Sequence, residues 1–233
     1  MIKGAVFDFD GVIVDSHPAH MRAWKSFLNS VGKTLSEEQL HFVLDGRRRD
    51  DILRHFMGEL DADKIFEYGL RKEQCFRDEV DHVRTADGLL DFLEELQYEQ
   101  MALAIASSGS RSRIHFLLDM FRLNKFFQVV ITGDDVEHAK PHPAVFLKAA
   151  LQLRIDPSKL IAFEDAVSGV KAAGSAGMQC IGIAQLDLVP ILLAAGANHV
   201  LPDFRSLSCS KLRELASNGA GTKPIPASRY FPR

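Results

Sequence analysis

The chain opens with a short apolar run from Ile2 to Phe9, which ends at Asp10-Gly11. Its β-branched and aromatic residues predict a buried strand that ends in a turn. Five further apolar runs follow, and helix-length patterns separate them. The runs are Ala102–Ala106, Val129–Thr132, Leu160–Phe163, Cys180–Ile183 and His199–Leu201, and the helical patterns are Gly88–Gln97, Arg111–Phe121, Ala144–Leu153, Val167–Ala176 and Val189–Ala195. This alternation predicts an α/β fold in which helices flank a parallel sheet.

The stretch from about Ser16 to Arg84 breaks the alternation. It holds no convincing strand, and its apolar residues recur at helical spacing. These residues are Trp24, Phe27, Leu28 and Val31, then Ile52, Leu53 and Phe56, then Ile65, Tyr68 and Leu70. We therefore expect a core made of residues 1–15 and 85–217, an all-helical domain inserted at 16–84, and a loose C-terminal tail at 218–233.

Composition narrows the possible partners and compartments. Hydrophobic residues make up 46% and charged residues 25% of the 233 residues, which is ordinary for a globular protein. A net charge of −3 gives no reason to expect a nucleic-acid or membrane-surface partner. The three cysteines match no metal-ligand spacing, and we find no signal peptide and no apolar stretch long enough to span a membrane. We expect a cytoplasmic monomer in a reducing compartment.

Chemistry-bearing side chains follow the predicted strands. Asp8 and Asp10 end the first run, Ser107-Ser-Gly-Ser110 follows the second, Gly133-Asp-Asp135 and Lys140-Pro-His-Pro143 follow the third, and Glu164-Asp165 ends the fourth. In an open parallel sheet, ligands bind at the carboxyl ends of the strands. The sequence therefore predicts a site at that edge.

These residue types suit phosphoryl transfer. Carboxylates from the first and fourth runs provide the hard oxygen ligands that Mg²⁺ prefers, and a carboxylate can also attack phosphorus. The metal and a lysine would neutralise the transferring group, while hydroxyl and backbone N–H donors at a helix start would bind its oxygens. Asp8 and Asp10 are two residues apart, so they would face the same side unless the strand ends between them.

Each feature alone has a simpler interpretation. Asp10-Gly11 could be only a turn, Ser107–Ser110 only a helix cap, and Glu164-Asp165 only acids that favour a helix start. Lys140 before a proline could be a solvated loop charge. His138 and His142 have a spacing that some metal sites use, but loop residues flanking Lys140 are the simpler description. The joint order of the features favours a site.

That order resembles the four motifs of the haloacid dehalogenase-like superfamily. The matching segments are Asp8-Phe-Asp10-Gly-Val, Ser107, Lys140-Pro and Glu164-Asp165. The resemblance covers nearly the whole chain and implies a Rossmann-like core with a helical cap over the site. It implies Asp8 as nucleophile and Asp10 as general acid/base. Ser107, Ser108 and Lys140 would bind the transferring phosphate. Asp8, Asp10 (through its backbone carbonyl), Glu164 and Asp165 would hold Mg²⁺.

The inserted segment is similar to the cap of the β-phosphoglucomutase subfamily. Asp15-Ser-His-Pro-Ala-His20-Met-Arg-Ala-Trp24 resembles its start, and Gly46-Arg-Arg-Arg49-Asp-Asp-Ile-Leu53 resembles its phosphate-gripping segment. The likeness implies Arg49 as a second phosphate ligand and Lys72 as a substrate contact, with His20 positioning Asp10. Arg47 or Arg48 could replace Arg49, and His20 and Lys72 could instead be structural.

One departure bears on the reaction. Where that subfamily has a serine-lysine-asparagine run, this chain has Gly109-Ser110-Arg111. Either Arg111 supplies the contacts to the non-transferring phosphate, or that second phosphate is not bound. Our first hypothesis is an isomerase of carbohydrate metabolism that interconverts β-glucose 1-phosphate and glucose 6-phosphate, with a sugar bisphosphate primer. The runner-up is a phosphatase acting on a small sugar or polyol phosphate. A third is a silent binding module for phosphorylated ligands.

Overall fold

The computed structural model describes residues 1–218. Within that range the strands are β1 (Gly4–Phe7), β2 (Val14–Asp15), β3 (Arg84–Thr85), β4 (Ala102–Ala106), β5 (Val129–Ile131), β6 (Leu160–Glu164), β7 (Gln179–Ile183) and β8 (His199–Leu201). Six of these strands form one parallel sheet in the order β5-β4-β1-β6-β7-β8. The chain crosses from the edge strand β5 to β6 on the other side of β1, so the strand order reverses at the centre of the sheet.

Helices connect and cover these strands. They are α1 (His17–Ser30), α2 (Glu37–Leu40), α3 (Arg49–Met57), α4 (Ala62–Arg77), α5 (Leu89–Tyr98), α6 (Arg111–Met120), α7 (Ala144–Leu153), α8 (Val167–Ser175), α9 (Val189–Ala195) and α10 (Cys209–Asn218). Short 3₁₀ turns lie at His41–Leu44, Val80–His82, Gly133–Asp135 and Pro157–Lys159. No helix in the described part of the chain is long and apolar enough to cross a membrane.

The sheet is buried on both faces, as a parallel sheet flanked by helices requires. One face packs aromatic rings, with Phe7 stacked on Phe163 at 4.7 Å between ring centroids and Phe92 edge-on to Phe163. The opposite face presents small side chains such as Ala104 and Ala162, which let helices approach closely. Continuous burial on both faces explains why these strands are apolar runs and do not alternate with polar residues.

A helical cap, formed by α1 to α4, is inserted after β2. It has a core of its own, which consists of Trp24, Phe27, Leu28, Leu40, Val43, Ile52, Leu53 and Ile65. The antiparallel ribbon of β2 and β3 pairs the chain entering the cap with the chain leaving it, with Val14 opposite Thr85. The ribbon therefore forms the base of the cap beside the sheet.

The predicted α/β fold with an inserted helical cap is confirmed. The division at residues 16–84 stays a prediction, and the predicted tail lies outside the described residues except for Asn218, which ends α10. The first strand is shorter than expected. It ends at Phe7, because the carbonyl of Phe9 accepts hydrogen bonds from the amides of Ile13 and Val14 and so turns the backbone out of the sheet.

Candidate active site

The carboxyl ends of three adjacent strands bring the predicted residues together. β1 lies between β4 and β6, with Phe7 level with Ile105 on one side and Phe163 on the other. The residues that follow each strand face one pocket, which the cap covers. Its lining includes Asp8, Asp10, His17, His20, Trp24, Arg47, Arg49, Lys72, Glu73, Ser107, Ser108, Ser110, Arg113 and Asp165.

Asp8 lies at the floor of this pocket and is 6% exposed. Its backbone amide donates to the carbonyl of Phe163, which continues the sheet pattern by one residue. Lys140 Nζ donates to Asp8 Oδ1 at 2.5 Å and to Glu164 Oε1 at 2.6 Å. Burial raises the pKa of Asp8 to about 7, although the Lys140 ammonium opposes that rise. Burial lowers the pKa of Lys140, but the carboxylates of Asp8 and Glu164 outweigh that effect and raise the pKa above its usual value, so Lys140 stays cationic.

Asp8, Glu164 and Asp165 form a buried acidic cluster. Each offers a carboxylate oxygen, and these oxygens lie within 4.8 Å of one another. Glu164 Oε2 accepts hydrogen bonds from the amides of Asp165 and Ala166, which fixes its orientation at the start of α8. Burial raises the pKa of all three carboxyl groups. A divalent cation among these hard oxygens would relieve their repulsion, so the donor set fits Mg²⁺.

His17 pairs with the third member of this cluster. Its Nε2 lies 2.9 Å from Asp165 Oδ2. Burial lowers the pKa of His17, but the Asp165 carboxylate outweighs that effect and raises the pKa to about 9. Gly11 provides the space for this pair, because a Cβ at Gly11 would lie 2.1 Å from Asp165 Oδ2 and 2.6 Å from His17 Nε2.

Asp10 makes a different set of contacts. Ser16 Oγ donates to its Oδ1 at 2.7 Å, and His20 Nε2 lies 3.2 Å from the same oxygen. Arg113 donates to both carboxylate oxygens, at 2.6 Å to Oδ1 and 2.8 Å to Oδ2. Burial favours the neutral acid, but Arg113 and His20 hold the pKa of Asp10 well below its usual range. Asp10 is therefore ionised in this arrangement.

A chain of hydrogen bonds connects Asp10 to the cap. Lys72 Nζ lies 3.1 Å from His20 Nδ1, and a lysine ammonium can only donate. His20 Nδ1 must then accept, so His20 Nε2 carries the proton that it donates to Asp10. Burial, together with the charges of Lys72 and Arg113, lowers the pKa of His20 to about 3, which keeps the ring neutral. Burial also lowers the pKa of Lys72 to about 8.

The serine segment after β4 leaves two hydroxyls free toward the pocket. Ser107 Oγ accepts from the amide of Gly109 at 3.0 Å, so its oxygen stabilises the turn before α6. Ser108 Oγ and Ser110 Oγ are buried and have no hydrogen-bond partner in the described part of the chain. Because buried hydroxyls are normally paired, these two atoms fit a ligand with acceptor oxygens.

Four arginines predicted or considered as substrate contacts differ in position. Arg49 lines the pocket, with its guanidinium 4.0 Å from Glu73 Oε1 and against Gly69, where a Cβ would lie 2.6 Å from the guanidinium carbon. Arg47 also lines the pocket, while Arg48 points to the core loop. Arg111 does not line the pocket. Its side chain is 57% exposed and pairs with Asp135 at 2.7 Å.

Sequence reasoning missed three residues at the site, Ser16, His17 and Arg113. Arg113 lies four residues before the buried Leu117, so helical phase places it on the inner face of α6. This helical spacing could have identified Arg113 from the sequence, and it places Arg111 on a different face of the helix. No pattern in the sequence indicated that Ser16 and His17 would contact Asp10 and Asp165.

Residues 5–183 match the sequence profile described as haloacid dehalogenase-like hydrolase. The chain belongs to this family. A phosphorylated carbohydrates phosphatase of Thermotoga maritima is 31% identical over 84% of this chain and 92% of its own length. Hexitol phosphatase A of Escherichia coli is 32% identical over 78% of this chain and 82% of its own length. These relatives establish an enzyme of the phosphatase and phosphotransferase type.

A solved structure shares the fold. β-Phosphoglucomutase from Clostridium difficile superposes with a TM-score of 0.84 over 94% of this chain and 98% of its own, at 22% identity. At that identity the likeness establishes the Rossmann-like core and the helical cap only. The profile match and the relatives above confirm the family resemblance read from the sequence. The choice between water and a sugar as phosphate acceptor is a separate question.

Proposed function

We propose that the chain is a magnesium-dependent phosphatase of a small phosphorylated sugar or polyol, acting through an aspartyl-phosphate on Asp8. The observation that carries this proposal is the position of Asp8. Its carboxylate is buried at the end of β1, paired with Lys140 and adjacent to Glu164 and Asp165. A carboxylate in such a setting has cationic support for an attack on phosphorus and little competing water.

The reaction balances with two proton transfers at Asp10. An Asp8 Oδ forms a bond to phosphorus while the bond from phosphorus to the sugar oxygen breaks, and Asp10 in its acid form protonates that oxygen. Water then attacks the phosphorus of the aspartyl-phosphate while the bond between phosphorus and Asp8 Oδ breaks. This releases inorganic phosphate and restores the Asp8 carboxylate, and the Asp10 carboxylate takes the proton of the water. The ionised Asp10 of this arrangement suits the second step. The first step requires Asp10 to be protonated when substrate is bound.

Asp8, Glu164, Asp165 and the backbone carbonyl of Asp10 would hold Mg²⁺. The raised pKa values of the three carboxyl groups, each caused first by burial, support a cation in their midst. When bound, the metal would supply positive charge beside the transferring phosphoryl group. His17 orients Asp165 through their 2.9 Å contact, and so would act on the metal site through that residue.

Lys140, Ser107 and Ser108 would bind the transferring phosphate. Lys140 already bridges two carboxylates and provides a fixed cation beside Asp8. Ser107 and Ser108 precede α6, where a helix start favours an anion. Ser108 Oγ has no partner among the described residues and so has a donor to offer.

The position of Arg111 favours water over a sugar hydroxyl as the acceptor. A mutase needs a second phosphate site, and the residue expected to rebuild it pairs instead with Asp135 on the surface. The related curated proteins named above are phosphatases of phosphorylated carbohydrates or hexitols. Both observations reverse the order of our sequence hypotheses, in which the mutase came first.

A mutase remains the second candidate because of Arg49. This residue lines the pocket from the cap side, and its guanidinium would suit a second phosphate. Lys72 and Arg47 add positive charge on the same side. The interconversion of β-glucose 1-phosphate and glucose 6-phosphate would use these groups.

A substrate screen separates the two candidates. Hexose 1-phosphates, hexose 6-phosphates and hexitol phosphates are incubated with Mg²⁺, with and without glucose 1,6-bisphosphate, and both free phosphate and isomer are measured. We expect steady release of phosphate that needs no primer and stops with EDTA. Isomer formation that depends on the bisphosphate, without net phosphate release, would establish the mutase instead.

Two variants connect the activity to the pocket. Asp8→Asn removes the nucleophile with almost no change in shape, and we expect turnover to be lost. Asp187→Asn is the matched control, because Asp187 is exposed and is not among the residues that line the pocket. We expect it to keep full activity, and equal activity in both variants would refute the role of Asp8.

A further inference from the structure

Arg113 is a buried cation that belongs to none of the predicted motifs. It is 7% exposed, although it lies in the first turn of α6 at the rim of the sheet. Its two terminal nitrogens donate to the two carboxylate oxygens of Asp10. An arginine is seldom buried away from water unless it is paired with an opposite charge. The bidentate pair with Asp10 is therefore a specific structural feature.

The cap completes the surroundings of Arg113. Its guanidinium carbon lies 5.2 Å from the centre of the Phe76 ring, and its Nε lies 3.9 Å from Glu73 Oε2. Both residues are on α4, whereas Arg113 belongs to the core helix α6. Arg113 therefore contacts the loop after β1 on one side and the cap on the other.

We propose that Arg113 is the positioning residue for Asp10, holding its carboxylate in the orientation needed for proton transfer beneath the cap. The proposal rests on the function proposed above, in which Asp10 transfers the protons. Ser16 and His20 both contact Oδ1, so among the described side chains Arg113 is the hydrogen-bond donor that fixes Oδ2. Without it, the carboxylate could rotate about its last bond.

The planar fork of arginine is what this position requires. Two parallel hydrogen bonds fix both the distance and the plane of the carboxylate, whereas a lysine would supply one point charge. A loss of orientation at a proton-transfer group lowers the rate of the chemical step more than it lowers substrate affinity. A residue that bound substrate directly would instead act on KM.

Steady-state kinetics of Arg113→Lys and Arg113→Met test the proposal, on whichever phosphorylated sugar the wild-type enzyme hydrolyses. We expect Arg113→Met to lower kcat by about a hundredfold with KM changed less than about twofold, and Arg113→Lys to lie between it and the wild type. Arg213→Met is the control, because Arg213 pairs with Glu99 on the surface of α10. It should match the wild type.

A crystal structure of Arg113→Lys provides a readout that needs no substrate. We expect the Asp10 carboxylate to turn away from the orientation that it has beside Ser16 and His20. An unchanged Asp10, or a rise in KM with unchanged kcat, would overturn the proposal. Failure of the wild type to hydrolyse any phosphate ester would refute the proposed function and leave the structural result to decide whether Arg113 orients Asp10.

Discussion

Gly169 leaves the space that the Glu164 carboxylate occupies. A Cβ at Gly169 would lie 1.8 Å from Glu164 Oε1, far inside van der Waals contact. Glu164 is fully buried, and its Oε1 accepts the hydrogen bond of Lys140. The glycine in the first turn of α8 is therefore required because it leaves room for the Glu164 carboxylate, and not because its backbone needs a conformation that only glycine adopts.

We expect Gly169→Ala to displace Glu164 and weaken Mg²⁺ binding by about tenfold or more, an effect typical of changes next to metal ligands. Isothermal titration with Mg²⁺ measures this directly. Gly174→Ala is the matched control on the same helix, because a Cβ there would meet no described atom within 4 Å beyond its own helix backbone and chain neighbours. It should keep Mg²⁺ affinity and stabilise α8 by up to about 1 kcal/mol. Equal Mg²⁺ affinity in both variants would refute the link between Gly169 and Glu164.

The edge at which the site lies was predictable from the sequence, because parallel strands all end on the same side. Asp8 and Lys140 follow β1 and β5, Glu164 ends β6, and the sheet brings all three into hydrogen-bond contact. The long apolar runs also predicted the central strands closely, since burial on both faces leaves few polar residues to confuse the pattern.

The contacts around Asp10 were not predictable in the same way. Arg113 is 103 residues away from Asp10 in the chain, and another arginine, Arg111, lies two residues earlier. Helical phase separates the two arginines, but only the packing of α6 against the sheet and the cap brings the Arg113 guanidinium to Asp10. The early end of β1 has a similar origin, because the turn hydrogen bonds at Phe9 depend on the backbone path to the cap.

Lys72 gives the protein a pH-dependent stability. It is 2% exposed, and burial lowers its pKa from 10.5 to about 8. Between these two pH values the unfolded chain binds more protons at this residue than the folded chain does, so the free energy of unfolding rises with pH there. Relative to Lys72→Met, the wild type should gain about 2 kcal/mol between about pH 7.5 and about pH 9.5.

Urea unfolding of both proteins across that range measures the difference. Other titrating groups are common to the two proteins and cancel. Lys25→Met, which changes an exposed lysine of α1, is the control and should run parallel to the wild type. If the free energy of unfolding of Lys72→Met changed with pH as that of the wild type does, burial would not lower the pKa of Lys72.

Arg48 forms hydrogen bonds between the cap and the core. Its guanidinium donates to the backbone carbonyls of Val136 and Glu137, at 3.3 Å and 3.1 Å. The side chain is half-buried, so we expect Arg48→Met to lower the free energy of unfolding by about 1 kcal/mol. Arg54→Met, at an exposed position of α3, should change it by less than about 0.5 kcal/mol.

Hydrogen exchange shows where the Arg48 effect arises. We expect faster exchange in residues 134–138 of Arg48→Met, because the loop loses its link to the cap. Unchanged exchange there, or equal destabilisation by the two arginine variants, would argue against a specific cap contact.

The phosphorylation of Asp8 is the central claim. The measurement is peptide mapping after the enzyme, Mg²⁺ and a hydrolysed sugar phosphate are quenched with acid within the first turnovers. We predict one phosphorylated peptide, the one that contains Asp8, and its absence in Asp8→Asn. Phosphate release with no modified peptide, or with the phosphoryl group on another residue, would contradict the covalent mechanism.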